Sequence, residues 1–93
     1  MTEIQIKIET FQNLLLDIAT GGSGDESEFQ KLRTELTENE KLKKFLPDFL
    51  ITIRSTGQFW QFIKFKYPTY AERRTYLWNE FAKSLNYVKL KKN

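Results

Sequence analysis

The feature that most constrains the fold of this 93-residue chain is its set of fourteen aromatic side chains, together with the absence of cysteine and histidine. A domain of this size buries only about 60 to 65% of the surface that its unfolded chain exposes. Small domains often compensate with disulfides or zinc, and this chain lacks the residues for both. Each Phe, Tyr or Trp can remove about 150 to 250 Å² from water. We therefore expect residues 1–93 to form a single domain whose core is filled by aromatic rings.

The missing residue types also limit the chemistry of the chain. Without Cys or His it has no thiol nucleophile, no imidazole base and no Cys/His metal site. Glu72 and Glu80, the acidic residues after position 50, stand about 12 Å apart along a helix. Paired carboxylates of glycoside hydrolases are about 5 to 9.5 Å apart. A carboxylate from another helix is still available to either residue, but we expect no enzymatic activity, no metal and no cofactor.

No segment has the features of a membrane span or a signal peptide. The longest uninterrupted apolar runs have three or four residues, whereas a membrane-spanning helix needs about 20. The first residues, Met-Thr-Glu-Ile-Gln-Ile-Lys, lack the hydrophobic block of a signal peptide. We therefore expect no membrane association and a cytoplasmic location.

Helical spacing dominates the first half of the chain. The 4-3-4-3 spacing of its apolar residues predicts a helix over 3–20. These residues are Ile4, Ile8, Phe11, Leu15 and Ile18. Gly-Gly-Ser-Gly then predicts a flexible loop over about 20–25, and not a phosphate-binding loop, because Lys-Ser/Thr is missing and acidic residues follow. We expect a second helix over 26–37 and a further helical start at a capping box over 37–40, interrupted by Pro47.

Capping boxes also organise the second half. Ser55 with Gln58 predicts the start of a helix over 56–67, and Thr69 with Glu72 predicts the start of a last helix of about 20 residues. Apolar residues cover more than half of the circumference of the 56–67 helix. It is therefore expected either to be buried between neighbours or to offer a surplus apolar face to a partner. The whole pattern predicts an all-α fold, a compact antiparallel bundle of four to five helices.

A helical wheel divides the last helix into a core face and an outward face. The predicted core face holds Tyr70, Leu77, Trp78, Phe81, Leu85 and Val88. Arg74 falls inside this face. There it either extends past the aromatic residues to water, pairs with Asp48 or Asp17 of a neighbouring helix, or binds an external anion.

The predicted outward face combines charge with tyrosine. It holds Arg73, Tyr76, Glu80, Lys83 and Tyr87. Tyrosine and arginine are enriched in protein interfaces, so we expect these residues to bind a partner. The alternative is an ordinary solvated face on which Arg73 pairs with Glu80. The first interpretation predicts that replacing Arg73 or Tyr76 by Ala impairs association and leaves stability nearly unchanged.

Charge is divided unevenly along the chain. Residues 1–50 carry ten acidic and six basic side chains, net −4, and residues 51–93 carry two acidic and nine basic ones, net +7. Ten of the fourteen aromatics lie in the basic half, and such a composition suits nucleic-acid binding, with Lys64, Lys66 and Arg74 as contacts. The alternative is that the aromatics fill the core. In that case the basic tail over 89–93 is solvated and complements the negative end of the last helix.

Four short segments carry a resemblance to a known family. They read LPDFL at 46–50, FWQFIK at 59–64, TYAERR at 69–74 and WNEF at 78–81. Together they resemble the small helical amino-terminal domains of bacterial abortive-infection proteins of the AbiJ type, which precede effector or sensor regions in phage-defence proteins. The resemblance covers about residues 46–85. It implies a recognition or assembly module and no catalytic residue.

Composition, charge and resemblance together predict a non-enzymatic protein-interaction module of a bacterial antiphage or regulatory system. Its expected partner is another protein chain, an effector or a sensor, or a second copy of itself. Because no effector region follows before Asn93, the effector is expected in another chain, unless these residues are an excised domain. The alternative function is a small nucleic-acid-binding domain.

Overall fold

The chain folds into helices joined by short turns. A computed structural model describes residues 2–21 and 23–91. These residues contain five α-helices, one 3₁₀ helix and no strand, which confirms the predicted all-α class. The elements are α1 (Glu3–Ala19), α2 (Glu26–Thr37), the 3₁₀ helix (Lys43–Phe45), α3 (Phe49–Thr52), α4 (Thr56–Lys66) and α5 (Tyr70–Lys91).

Helix α1 contacts α2, α4 and α5 and follows the predicted span closely. Thr2 caps it, since the Thr2 hydroxyl accepts a hydrogen bond from the Gln5 N–H at 3.0 Å. The apolar positions of the 4-3 pattern from Ile8 to Ile18 are buried. The helix ends at Ala19, and Gly21 adopts the left-handed conformation with a φ of 89°, which glycine tolerates without a steric cost.

The turn after α2 differs from the sequence prediction. Helix α2 ends at Thr37, and the Thr37 hydroxyl donates to the Arg33 carbonyl at 2.7 Å instead of capping a new helix. The Asn39 side chain organises the turn, because its Oδ1 accepts from the N–H groups of Lys41 and Leu42. The predicted helical start over 37–40 is therefore wrong. A threonine in a last helical turn can bond back to a carbonyl of its own helix, and sequence spacing does not reveal which bond it forms.

Helix α4 starts at the predicted capping box. The Ser55 hydroxyl accepts from the Gln58 N–H at 3.1 Å, and the Gln58 amide oxygen accepts from the Arg54 N–H at 2.7 Å. Phe59 is fully buried, whereas Phe65, at the other end of the helix, is 79% exposed. Helix α4 therefore buries one side and leaves part of its apolar surface open.

Helix α5 is the longest element and runs antiparallel to α1. Near the start of α5, Arg73 bonds to the carbonyl of Ala19 at the end of α1. Further along, the rings of Phe81 and Phe11 meet edge to face at 6.1 Å. The 22 residues of α5 extend about 33 Å against about 26 Å for the 17 residues of α1. Neither α5 nor any other helix of the described residues is long and apolar enough to cross a membrane.

The buried face of α5 is rotated from the predicted one. Its buried residues are Leu77, Phe81, Ser84 and Val88. Tyr70 and Trp78, which the wheel placed in the core, are 51% and 64% exposed. Tyr76 and Tyr87, which the wheel placed outward, pack against the core instead. The cause is tertiary, because rings from the 3₁₀ helix, α3 and α4 cover the Tyr76 side of α5.

Aromatic rings fill the core, as expected from the composition. Phe11, Phe29, Phe59 and Phe81 are fully buried. Phe49 of α3 links this group, with its ring centre 5.8 Å from that of Phe59 and 6.3 Å from that of Phe81. Such pairs contribute about 0.5 to 1.5 kcal/mol beyond their buried area.

Candidate functional site

The first half of α5 carries two open depressions that share Ala71 and Thr75. We call the first, of about 430 Å³, the Trp78 groove; it is lined by Tyr70, Ala71, Arg74, Thr75 and Trp78. We call the second, of about 630 Å³, the Tyr76 groove; it is lined by Lys66, Tyr67, Ala71, Glu72, Thr75, Tyr76, Asn79 and Glu80. Since Ala71 and Thr75 border both, the two grooves lie on either side of one outward ridge of α5.

The Trp78 groove places the Arg74 guanidinium between two exposed aromatic residues. Tyr70, Arg74 and Trp78 follow one another at intervals of four residues, so they lie on one face of α5 in successive turns. Arg74 is exposed and forms no ion pair with any described residue. Its predicted pairing with Asp48 or Asp17 is therefore wrong, and its predicted contact with an external anion stays a prediction. The rotation of α5 removes Arg74 from the core.

The Tyr76 groove has an aromatic floor and charges of both signs. The rings of Tyr67 and Tyr76 stack with 4.6 Å between their centres. Burial raises the pKa of the Tyr76 phenol, and the negative charge of Glu80 adds to the shift, so this hydroxyl stays protonated. The Lys66 ammonium lies over the Tyr67 ring at 5.9 Å, and the carboxylates of Glu72 and Glu80 line the same groove. This surface therefore offers hydrogen bonds and both charges.

Arg73 has a structural role beside these grooves. Its guanidinium donates to the carbonyls of Tyr67 and Ala19, each at 2.6 Å, and to that of Pro68 at 3.4 Å. It also lies 5.4 Å from the centre of the Trp60 ring. The predicted pairing of Arg73 with Glu80 does not occur. Because its donors are used on backbone carbonyls, Arg73 holds the α4–α5 turn against the end of α1.

The five residues of the predicted outward face do not share one open surface. Tyr76 and Glu80 line the Tyr76 groove, whereas Tyr87 stacks on Phe45 with 4.0 Å between ring centres. The Lys83 ammonium lies 5.9 Å from the centre of the same Phe45 ring. The assumption that all five point away from the core is wrong, since Arg73, Tyr76 and Tyr87 are half-buried. Their part in partner binding stays a prediction.

The residues predicted to contact nucleic acid likewise do not line one common groove. Lys64 lies over the rings of Trp60 and Phe65, at 5.6 and 5.0 Å. Lys66 borders the Tyr76 groove and Arg74 the Trp78 groove. Of the predicted basic tail, the Lys91 side chain, Lys92 and Asn93 lie outside the described residues, as does Gly22 of the predicted flexible loop.

The described residues bring together no group of three acidic side chains able to hold a metal ion. The ion pair between Lys7 of α1 and Glu35 of α2 is structural, because the Lys7 ammonium, 2.6 Å from the Glu35 carboxylate, joins the two helices. What the site offers is contact surface, hydrogen-bonding groups and charge.

Sequence reasoning missed the exposure of Tyr70 and Trp78. A second stripe on α5, spaced 4-3-4, runs through Ala71, Thr75, Trp78 and Ala82. Helices commonly use this spacing to pack against another helix. The small residues in this second stripe indicate that a second side of α5 can pack against another helix.

Comparison with known proteins identifies a relative of very different length. The chain is 30% identical over 91 residues to the probable 2′ cyclic ADP-D-ribose synthase TcpO of Methanobrevibacter olleyae. The similarity covers 98% of this chain and 26% of TcpO, so the chain spans about a quarter of the curated relative that it matches. No family model and no solved structure matches the chain. The similarity extends into the first 45 residues, which the AbiJ-type resemblance did not cover, and it does not point to AbiJ-type proteins specifically.

Proposed function

We propose that this domain is a non-enzymatic adaptor or sensor-side module that binds another protein through the outward ridge of α5. The observation that carries the proposal is the exposure of Trp78 and Tyr70 on either side of Arg74, which forms no ion pair within the described part of the chain. Trp, Tyr and Arg are the residue types most enriched at the energetic centres of protein interfaces. A partner that covers this ridge and the adjoining Trp78 groove removes the surfaces of Tyr70 and Trp78 from water and gives the Arg74 guanidinium a partner.

The charge distribution favours a protein over a nucleic acid as the partner. The larger groove contains Glu72 and Glu80, whose carboxylates repel phosphates. Lys64, Lys66 and Arg74 do not line one common groove, whereas tight binding of a nucleic acid needs several phosphates contacted together. Aromatic residues and arginine, which the Trp78 groove combines, are enriched in protein interfaces.

We place the module in the cytoplasm, in an antiphage system of the abortive-infection kind or in a related regulatory system. Two similarities support this setting. One is the resemblance of residues 46–85 to domains that accompany effectors. The other is the match to about a quarter of TcpO, whose name is that of a probable 2′ cyclic ADP-D-ribose synthase. The domain then acts beside an effector enzyme as a recognition or assembly unit.

Co-expression with the proteins encoded beside it, followed by size measurement with light scattering, tests the proposed function. We expect the wild-type chain to elute in a complex with one of these proteins. Trp78→Ala should abolish the complex and leave the unfolding midpoint unchanged, whereas Phe65→Ala, at an exposed aromatic residue on α4, should retain it. A chain that stays monomeric with every neighbour contradicts the proposal.

A binding titration with labelled single-stranded DNA and RNA separates the two functions. We expect no binding at low salt. Binding whose log K falls by about 0.7 per neutralised phosphate as log salt concentration rises would instead support the nucleic-acid alternative.

A further inference from the structure

We propose that the Trp78 groove receives an amphipathic helix of a different protein chain, and that this helix places a carboxylate against Arg74. The inference rests on the proposed function and adds the shape and the charge of the partner. It follows from the spacing of the groove residues, from the charges around them and from what two copies of this surface would bring together.

The spacing of the exposed residues fits a helix. Ala71, Thr75, Trp78 and Ala82 repeat at intervals of 4, 3 and 4 residues, which keeps them on one side of α5 for three turns. Small side chains on either side of Trp78 allow a second helix to approach closely, while the indole inserts between residues of that helix. All five lining residues of the groove belong to α5, so the occupant packs along one face of that helix.

The charge of the groove fits an acidic partner. None of its lining residues is acidic, and Arg74 is the charged one. The nearest carboxylates along α5, those of Glu72 and Glu80, line the other groove. An occupant that covers Tyr70 and Trp78 also removes water from the guanidinium between them. A carboxylate on the occupant then replaces that water with two parallel hydrogen bonds, the geometry that arginine forms best.

The same charges disfavour a second copy of this chain as the occupant. Two Trp78 grooves facing each other bring two Arg74 guanidiniums into one interface without a carboxylate from either groove. Like charges buried together are costly and select against such pairing. The occupant is therefore a helix with a different charge pattern.

Two matched peptides test this inference with the intact chain. Each has about 21 residues with a Leu/Ala seam at 4-3 spacing, and the flanking positions hold Glu in one and Lys in the other. Fluorescence anisotropy measures the affinity of each labelled peptide. We expect the Glu peptide to bind at least about tenfold more tightly than the Lys peptide, a difference of about 1.4 kcal/mol. Arg74→Glu should reverse this preference, and Phe65→Ala should leave it unchanged.

Three results overturn the inference. They are equal binding of both peptides, binding of neither, and a preference for the Glu peptide that survives Arg74→Glu. Sedimentation of the chain alone provides the remaining control, because a dimer that Trp78→Ala dissociates would make a second copy the occupant. If a neighbouring protein binds at Trp78 while the peptides show no charge preference, the proposed function stands and the acidic helix is rejected.

Discussion

The Nη1 atom of Arg73 lies 2.6 Å from the carbonyl oxygen of Ala19, 54 residues earlier in the chain. Ala19 is the last residue of α1, where carbonyls lack partners within the helix and the helix dipole is negative. The same guanidinium also binds two carbonyls of the α4–α5 turn. One arginine therefore joins the end of α1 to the start of α5, while the adjacent Arg74 faces solvent.

Replacing these neighbouring arginines by Ala should give very different stabilities. Arg73→Ala leaves a buried carbonyl without its donor, so we expect a loss of about 1 to 3 kcal/mol in the free energy of unfolding, measured with urea. Arg74→Ala should change it by less than about 0.5 kcal/mol. Equal effects of the two substitutions would remove the structural role assigned to Arg73. The outward-face interpretation, in contrast, predicts an unchanged stability for Arg73→Ala.

Two glycines should respond to Ala in opposite directions. A Cβ at Gly24 would lie 2.6 and 2.7 Å from Cγ1 and Cδ1 of the buried Ile18. We expect Gly24→Ala to destabilise the fold by about 1 to 3 kcal/mol through overpacking. At Gly57, in the first turn of α4, the nearest atom is 3.9 Å away, so Ala should be neutral or stabilising by up to about 1 kcal/mol. A Gly24→Ala variant as stable as the wild type in urea would contradict the close packing of this loop.

The Lys7–Glu35 ion pair should govern part of the acid sensitivity. A hydrogen bond from Lys7, helped by its charge, holds the pKa of Glu35 below its ordinary value of 4.5. A carboxyl with a lowered pKa in the folded state stabilises the protein above its unfolded pKa, and this stabilisation is lost as the pH falls through the folded pKa. Below about pH 4.5, the free energy of unfolding should therefore fall more steeply in the wild type than in Glu35→Gln.

The matched control for this pH series is Glu38→Gln, at an exposed position after α2. Its free energy of unfolding should fall below about pH 4.5 as steeply as that of the wild type. An identical fall in the wild type and in Glu35→Gln would show that the ion pair makes no difference to the stability at low pH.

Tyr76 should titrate only when the protein unfolds. Burial, and to a smaller extent the charge of Glu80, raises the pKa of Tyr76 above the ordinary value of 10.0. The protonated Tyr76 phenol therefore stabilises the folded state fully below pH 10, and this stabilisation is lost at higher pH. Absorbance at alkaline pH should show a tyrosine component that ionises together with unfolding. Tyr76→Phe should remove that component. An absorbance change on unfolding that is identical in the wild type and in Tyr76→Phe would contradict the burial of the Tyr76 phenol.

Local signals explain why most of the fold was predictable from the sequence. The capping box of Thr69 and Glu72 forms as expected, with the Glu72 N–H donating to Thr69 Oγ1 at 3.2 Å. Helix α1 follows its apolar spacing. Such features depend on neighbours within one or two turns, and their physics is visible in the sequence.

The candidate site depends on contacts that no local pattern contains. Tyr76 is half-buried because Tyr67 and Phe62 lie against it, and Trp78 is exposed because none of the described helices covers its side of α5. Tyrosine and tryptophan suit both environments, so their spacing on a wheel does not decide between them. The same reasoning placed Arg73 outward, although its partners are backbone carbonyls from distant segments.

Photo-crosslinking from the ridge of α5 in living cells tests the central claim most directly. A benzophenone amino acid replaces either Thr75, which lines the Trp78 groove, or Phe65, both exposed residues, on α5 and α4 respectively. We predict that irradiation links position 75 to another protein, that position 65 gives no such product, and that Arg74→Glu suppresses the product from position 75. Equal products from both positions, or a product with nucleic acid in place of protein, would contradict the account.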